Sequence, residues 1–491
     1  YMERDVTITA MLYNKQIEQF GKWASQGADM TDAIRIEHGT QKVLAQQSRH
    51  GFRLDLPAAE KLDSELVSEK EQLEVSLQDE FKPRFIPNRA EWCFTARQWK
   101  RKNTPKNLLP EPFVPKGNNK KHGYVAGAPL TKIKYELFNP SSRGQIAQRL
   151  SQLYGWIPTD FTANGTVEVN EAMLKDLNHK YAAAAKISRY LRLSKQVGMI
   201  SEGKNAWLRL HQDGRLHGYV RSSGTRTHRM THAHPNLAQV DKESRMRALF
   251  VPNEGHVLVG VDASALELRL MAAYLYPVDG GSYAESVLYG DDALGTDVHS
   301  LNRDSVGMHS RTNVKTLFYA YLYGAGDENL GNQMINDAEE AGKPKLRGTA
   351  ISIGMKARQR LESGIEGLDR LIAYAKSQAV SRGFLVLPDG RPVETSSRTA
   401  LNALLQGAGA VLMKQAAVIF DSELAVDRGL VGHFDYCANV HDELQLSVEP
   451  EHAQSVGEAM CDAIAMAGER LGMKVPFTGN AMVGANWSQT H

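Results

Sequence analysis

Val257-Leu258-Val259-Gly260-Val261-Asp262-Ala263-Ser264-Ala265-Leu266-Glu267-Leu268-Arg269 holds four branched aliphatic residues in its first five positions, then a carboxylate, then a helix-like tail. A short apolar run of this kind reads as a strand buried in a core, and Asp262 emerges at its end. A lone aspartate between strand and helix is more often a cap than a catalyst. The second stretch is Ala438-Asn439-Val440-His441-Asp442-Glu443-Leu444-Gln445-Leu446, in which two alternating strands flank a tight polar turn. Taken singly it is weak, because hairpin turns favour Asp and Glu is common on surfaces. Two strand-end carboxylates from distant segments of one sheet carry more weight. Hard cations such as Mg2+ take oxygen ligands and keep several waters, so Asp262 and Asp442 read together as ligands of a pair of ions. Ions about 4 Å apart can activate an attacking hydroxyl and stabilise a leaving pyrophosphate.

Outward from these stretches the pattern is mixed. Thr31 to Glu80 is helical, with Ile34, Ile36, Val43 and Leu44 before a break at Gly51, and Leu62, Leu66, Leu73 and Leu77 marking one apolar stripe after it. Between Lys82 and Lys121 come six prolines and eleven Lys or Arg against two Glu. That segment reads as a loop, in which Trp92, Phe94, Trp99 and Phe113 are interleaved with Arg97, Lys100, Arg101 and Lys102. The mixture suits phosphates and exposed bases, or a protein partner, and equally a solvated insertion. Helical patterns resume from Ser142 to about Lys204. Strand-like alternation begins at Trp207, in Leu208, Leu210 and Leu216 to Val220. Long helical patterns fill about 283 to 382, and strands return at Phe384 to Leu387, Tyr436 to Val440 and Leu444 to Val448. The sheet is thus expected from two separated segments with a helical insertion between them.

In that insertion, Arg311, Lys315, Tyr319 and Tyr323 recur every four residues, a slowly drifting row on one helix face. A triphosphate laid along it meets both cations first and presents its sugar and base to the tyrosines. Arg offers a forked donor and Lys a point charge, and both suit phosphate oxygens. A solvated basic helix end explains any one of these residues but explains the row poorly. His299, just upstream, could add a phosphate donor, although a histidine alone is more often structural. Gly224 to Gln239 carries three histidines and two arginines without a carboxylate. Its spacing matches no usual zinc site, and arginine reaching a minor-groove edge is the better reading.

Composition sets the limits. A chain of 491 residues, 42% hydrophobic and 23% charged, is ordinary for a globular protein and long enough for about three subdomains. No apolar run approaches the roughly 20 residues needed to cross a bilayer, and no secretory signal opens the chain, so a cytoplasmic location is expected. Cys93, Cys437 and Cys461 are too few and too irregular for a disulfide framework or a zinc site and read as structural. A net charge of +2 does not advertise nucleic-acid binding, so any such surface requires local segregation of charge. The chain starts at Tyr1, already in what reads as a domain interior.

Taken together, these segments resemble the family A DNA polymerases, and the phage-type members in particular, from the N-terminus to Asn486-Trp487 and with all three polymerase motifs in order. The resemblance implies an α+β right-hand architecture with an antiparallel palm sheet and helical fingers and thumb. It makes Asp262 and Asp442 the metal ligands, assisted by the Ala263 carbonyl, for two Mg2+ ions. Arg311 and Lys315 hold the triphosphate, His299 supports it and Tyr323 packs on the nascent base pair. Glu267 matches the steric gate against a 2′-hydroxyl, and Tyr319 implies ready acceptance of dideoxynucleotides. Arg229, Asn402 and Gln406 match residues that follow the minor groove of primer-template DNA, and His441 and Glu443 match those near the primer end.

By the same resemblance, the divisions expected are an exonuclease remnant at 1–25, a thumb at 26–205 with a basic insertion at about 82–135, palm at 206–274 and 403–491, and fingers at 275–402. The insertion lies where phage-type members carry a thioredoxin-binding loop, which implies a processivity factor as partner. Its different core sequence and shorter length speak against thioredoxin. Tyr1-Met2-Glu3-Arg4-Asp5 resembles the last motif of a 3′–5′ exonuclease whose earlier motifs are absent. Proofreading is therefore expected to need a separate exonuclease subunit. The expected activity is dNTP addition to a primer in phage DNA replication. The alternatives are a single-subunit RNA polymerase, which Glu267 counts against, and a catalytically idle nucleic-acid-binding relative, which the intact Asp262, Asp442, Arg311 and Lys315 count against.

Overall fold

The computed structural model describes residues 2–87, 114–121, 123–130, 133–162, 164–178, 180–241 and 243–490. The aromatic and basic residues between Trp92 and Phe113, and Cys93, lie outside this set. The chain divides into one compact unit of Tyr1–Asp55 with Leu210–His491 and a second of Leu56–Arg209.

The first unit opens with α1 (Met2–Ala24), α2 (Thr31–His50) and β1 (Phe52–Leu54). α1 is exposed along nearly all its length, with Val6, Met11 and Tyr13 each more than 60% accessible. α2 buries Ile36, Val43 and Leu44 and packs on a long helix described below. α2 and β1 thus belong to the first unit, which runs to Asp55 before the chain enters the second.

The second unit comprises α3 (Leu56–Glu80), β2 (Arg84–Pro87), β3 (Ile133–Glu136), α4 (Arg143–Tyr154), α5 (Glu171–Asn178) and α6 (Ala182–Val197). Its core gathers Leu77, Phe81, Phe138, Ile146, Leu150 and Ile187, with the Phe81 and Phe138 rings 4.4 Å apart. The apolar stripe read on α3 is thus a core stripe, with Leu62, Leu66 and Leu77 buried. Arg84 and Glu136 face each other across the β2–β3 ladder and pair at 2.9 Å.

Trp207–Leu210 is a helical turn, α7, where alternation suggested a strand. Four residues cannot distinguish a strand from one helical turn by periodicity. The first unit then continues with β4 (Arg215–Leu216), β5 (Tyr219–Arg221), β6 (Thr231–Ala233), α8 (Ser244–Ala248), β7 (Phe250–Val251), β8 (Val257–Ala263), α9 (Leu266–Asp279), α10 (Ser282–Tyr289), α11 (Val298–Val306), α12 (Arg311–Leu322), α13 (Asp327–Glu340), α14 (Ala350–Gly364), α15 (Leu368–Arg382), β9 (Phe384–Val386), β10 (Pro392–Glu394), α16 (Ala400–Ile419), β11 (Phe434–Val440), β12 (Glu443–Val448), α17 (Ala453–Arg470) and β13 (Gly479–Gly484).

The central sheet has the order β11-β12-β8-β13 and is antiparallel throughout. It unites the two separated segments as expected and adds β13, which sequence reading missed. In β8, Leu258, Val259 and Val261 are all fully buried, so both faces of the strand are covered; this is why it reads as an unbroken apolar run. α17 packs on β8 and β13, and α16 packs on α17 and α2. The C-terminal tail closes in on the same strand: a Cβ at Gly260 would collide with the Thr490 carbonyl and the Gln445 side chain. One helical stretch among the described residues, Ala400–Asp427, is long and apolar enough by length and composition alone to cross a bilayer. Its most apolar window is 83% buried inside the protein, so its hydropathy is that of a core helix.

Candidate active site

The site is assembled at one end of the central sheet. Asp262 on β8 pairs in register with Glu443 on β12 and with Asn480 on β13. His441 takes φ of 59°, which tightens the β11–β12 turn and sets Asp442 at its tip. The Ala263 N–H donates to the Asp442 carbonyl at 3.0 Å. Asp262 and Asp442 therefore start from the same end of neighbouring strands, which lie about 4.8 Å apart in such sheets. This is the juxtaposition expected of two ligands to a common metal cluster.

Glu267 joins them. Ala265, at φ 50°, occupies the left-handed region and reverses the chain between β8 and α9, so Glu267 lies in the first turn of a helix that starts beside Asp262. Its Oε1 accepts from the Tyr323 hydroxyl at 2.9 Å and from Arg229 Nη2 at 3.3 Å. Burial, and then the Glu267 charge, push the Asp442 carboxyl above the usual carboxylate range, against the pull of Arg229 and His441. Asp262, Asp442 and Glu267 bring three carboxylates to one end of the sheet, an all-oxygen donor set suited to a divalent metal. Mg2+, which prefers carboxylate oxygen, fits this donor set.

α12 supplies the cationic row. Ser310 caps it by accepting from the Asn313 N–H at 3.2 Å. Arg311 is engaged by Asp297 at 2.9 Å and Asp292 at 2.8 Å. Asp297 itself caps α11, accepting from the His299 N–H at 3.0 Å, and is held well below the carboxylate range by Arg311 and Ser300, although burial alone would raise it. His299 is 7% exposed, and its Nδ1 is buried with no hydrogen-bond partner among the described residues. Burial, then the charges of Lys315 and Arg311, keep its ring below the ordinary histidine range. The ring thus places a nitrogen without a protein partner beside the two cations of α12. Along the same row the His299, Tyr319 and Tyr323 rings follow at 6.2 Å intervals. Burial, then Glu267 and Asp442, push the Tyr319 hydroxyl up to about 12.

The residues expected on nucleic acid divide. Arg229 reaches Glu267, and Asn402 Nδ2 donates to the Leu322 carbonyl at 3.2 Å, tying α16 to the end of α12. Gln406 is half-buried one turn further along α16. His441 is exposed at the turn, and next to it His232 is pushed down to about 4 by burial and then by the His441 charge. Glu443 is 3% exposed, and its Oε1 accepts from Gln445 Nε2 at 2.7 Å and from the Trp487 indole. Its carboxylate is thus held both from within β12 and from the C-terminal tail.

Sequence reading did not find Arg247. Its guanidinium lies 4.6 Å over the Trp487 ring and 3.7 Å from Glu443, while Nη1 and Nε have no hydrogen-bond partner among the described residues. Burial lowers its proton affinity, and Glu443 and then Asp262 raise it. Nothing in Ser244–Ala248 separates this arginine from Arg245 two positions earlier, which is more exposed and pairs with Glu243. Lys414 was also missed. It lines a small crevice with Arg229, Met230, His441 and Asp442, and the signal was available: a single cation inside the apolar run of α16 must be buried with a partner.

A profile described as DNA polymerase family A matches residues 126–345 and 387–489. The chain is 32% identical to a DNA-directed DNA polymerase of Enterobacteria phage T3, over 100% of this chain and 76% of the relative. It shares the same identity and coverage with a DNA-directed DNA polymerase of Escherichia phage T7. A solved structure, the POL domain of Pol1 from M. smegmatis in complex with DNA primer-template and dNTP, matches with a TM-score of 0.66 at 19% identity, covering 92% of this chain and 70% of that one. The last likeness shows the fold.

Proposed function

This chain belongs to DNA polymerase family A and is a DNA-directed DNA polymerase, and from that premise we propose how its residues divide the work of extending a primer. Asp262 and Asp442, with the Ala263 carbonyl, hold two Mg2+ ions. Bound there, the ions would favour ionisation of the primer 3′-hydroxyl and neutralise the leaving pyrophosphate. Arg311 and Lys315, one turn apart on α12, take the triphosphate oxygens, and Arg311 exchanges Asp292 and Asp297 for phosphate as it does so. His299 donates to the same phosphates. Tyr323 lies under the nascent base pair, and Glu267 occupies the space a 2′-hydroxyl would need. Tyr319 favours acceptance of dideoxynucleotides. Arg229, Asn402 and Gln406 follow the minor groove, and His441 lies near the primer end. Glu443, held by Trp487, acts there by positioning. Catalysis on this account is positioning and charge neutralisation.

The observation that carries this reading is the register of β8 and β12, which brings Asp262 opposite Glu443 and beside Asp442. The fine assignments go with it: phage DNA replication in the host cytoplasm, a processivity factor at the basic insertion near 82–135, and proofreading supplied by a separate exonuclease subunit. An RNA polymerase reading is disfavoured by Glu267 and by the named activity of the phage relatives.

Single-nucleotide extension with Mg2+ tests the assignment. Asp262→Ala and Asp442→Ala should each cut extension about a thousandfold or more, roughly 4 kcal/mol of transition-state stabilisation. Primer-template affinity, read by fluorescence anisotropy, should stay within a few-fold of the parent. Extension by either variant at more than about a tenth of the parent rate overturns it.

A further inference from the structure

At the opposite end of the β11–β12 hairpin from Asp442, three side chains converge that the polymerase reaction does not use. We propose that His433, Glu449 and His452 bind a divalent transition-metal ion, with Zn2+ as the natural occupant. The hairpin ladder continues one step past its last named pair, Phe434 with Val448, because the Glu449 N–H donates to the His433 carbonyl at 3.1 Å. His433 and Glu449 are thereby neighbours across two strands, and His433 Nδ1 lies 2.6 Å from Glu449 Oε2. The short turn Pro450–His452 then folds back, with the His452 N–H donating to the Glu449 carbonyl at 2.9 Å. This returns the His452 ring to His433, with centroids 4.0 Å apart, and puts its Nε2 4.0 Å from the same Glu449 oxygen.

One atom from each residue can be chosen so that all three lie within 4.8 Å of one another. Zinc bonds of about 2.0–2.1 Å in a tetrahedron place ligand atoms roughly 3.3 Å apart, so the 2.6 Å contact must widen and the 4.0 Å gap must close. Both are within reach of side-chain rotation at positions 31–38% exposed. An ion pair needs only one of the histidines, and the second directs its nitrogen at the same carboxylate oxygen. Two imidazoles and one carboxylate, with a solvent-facing fourth position, form a donor set suited to Zn2+ or Co2+ and poorly suited to Mg2+, which wants oxygen alone. The site would thus be selective against the ions proposed for catalysis. Its ligands come from the start of β11, the end of β12 and the entry to α17, so a bound ion clamps all three. Six strand residues at about 3.4 Å each separate it from the Asp442 turn, roughly 20 Å. The role is to tether, at a distance from the chemistry.

The test is titration of the metal-stripped full chain with Co2+ in excess Mg2+. The expected result is one equivalent of Co2+ developing the strong visible absorption of four-coordinate Co2+, and its loss when Zn2+ is added. His452→Asn, which keeps a good residue at the helix entry, and Glu449→Gln should each weaken binding about tenfold or more. His433→Ala/His452→Ala should abolish it, while primer extension in Mg2+ by His452→Asn stays at the parent rate. Absence of the band in the parent overturns the proposal, as does an equal band in His452→Asn or Glu449→Gln, each first shown by circular dichroism to be folded.

Discussion

Glu267 shows how much one carboxylate is asked to do. It accepts from Tyr323 and Arg229, and its charge helps keep the Asp442 carboxyl above its ordinary range. If its bulk excludes a 2′-hydroxyl, Glu267→Ala opens that space. Discrimination between dNTP and NTP, measured as the ratio of kcat/KM values, should then fall at least about tenfold, or about 1.4 kcal/mol. Glu267→Gln keeps the volume and should retain most of the discrimination. Unchanged sugar selectivity in the alanine variant would remove the gate assignment. At this scale the sequence was informative about placement: Asp262 and Asp442 come to one end of the sheet, and Arg311 and Lys315 fall one turn apart on α12, as their spacing predicts. Arg247 was not, because its significance comes from lying over Trp487, more than two hundred positions later in the chain.

At the scale of elements, a buried charge cluster joins α2, α16 and the β9–β10 turn. Glu37 pairs with both Lys414 and Arg391, and Arg391 also pairs with Asp389. Burial pulls the Lys414 ammonium down and would raise Glu37, but two cations converge on the one carboxylate and hold it at about 2. The carboxylate is the group kept ionised. Its folded value lies below its ordinary 4.5, so its stabilisation is complete above about pH 4.5 and is lost as pH falls towards 2. The size is on the order of 3 kcal/mol. Denaturant midpoints should therefore drop between about pH 4.5 and 2 more steeply in the parent than in Glu37→Gln, and parallel curves would refute the pairing. Lys414→Met should cost about 3–5 kcal/mol, because it strips one of two counter-charges from a buried carboxylate. Elements themselves were legible where burial was one-sided or complete, as in β8, β12 and α2. β13 was not, since it is an edge strand, largely exposed, that reads Gly-Asn-Ala-Met-Val-Gly; its pairing with β8, not its composition, makes it a strand.

At the scale of the whole molecule, the second unit is an insertion. The chain leaves the first unit after β1 and returns to it at β4, and these strands are antiparallel neighbours, Phe52 opposite Leu216 and Arg53 opposite Arg215. The Leu54 N–H donates to the Gly214 carbonyl at 2.8 Å, so the exit and re-entry are stitched together by the first unit's own backbone. Leu56–Arg209 in turn has its own core around Phe81, Phe138 and Ile146, with ion pairs Arg189–Glu69 and Lys186–Glu80 inside the same unit. A segment with its own core, joined to its host at adjacent points, meets the conditions for folding independently. Residues 58–207 replaced by a short Gly-Ser linker should leave a first unit that melts cooperatively by calorimetry, because the β1–β4 pairing closes the gap without strain. The isolated 56–209 segment should show helical circular dichroism and its own transition. If the trimmed chain has no cooperative transition, β1 and β4 do not hold without what lies between them, and the two bodies are a single folding unit.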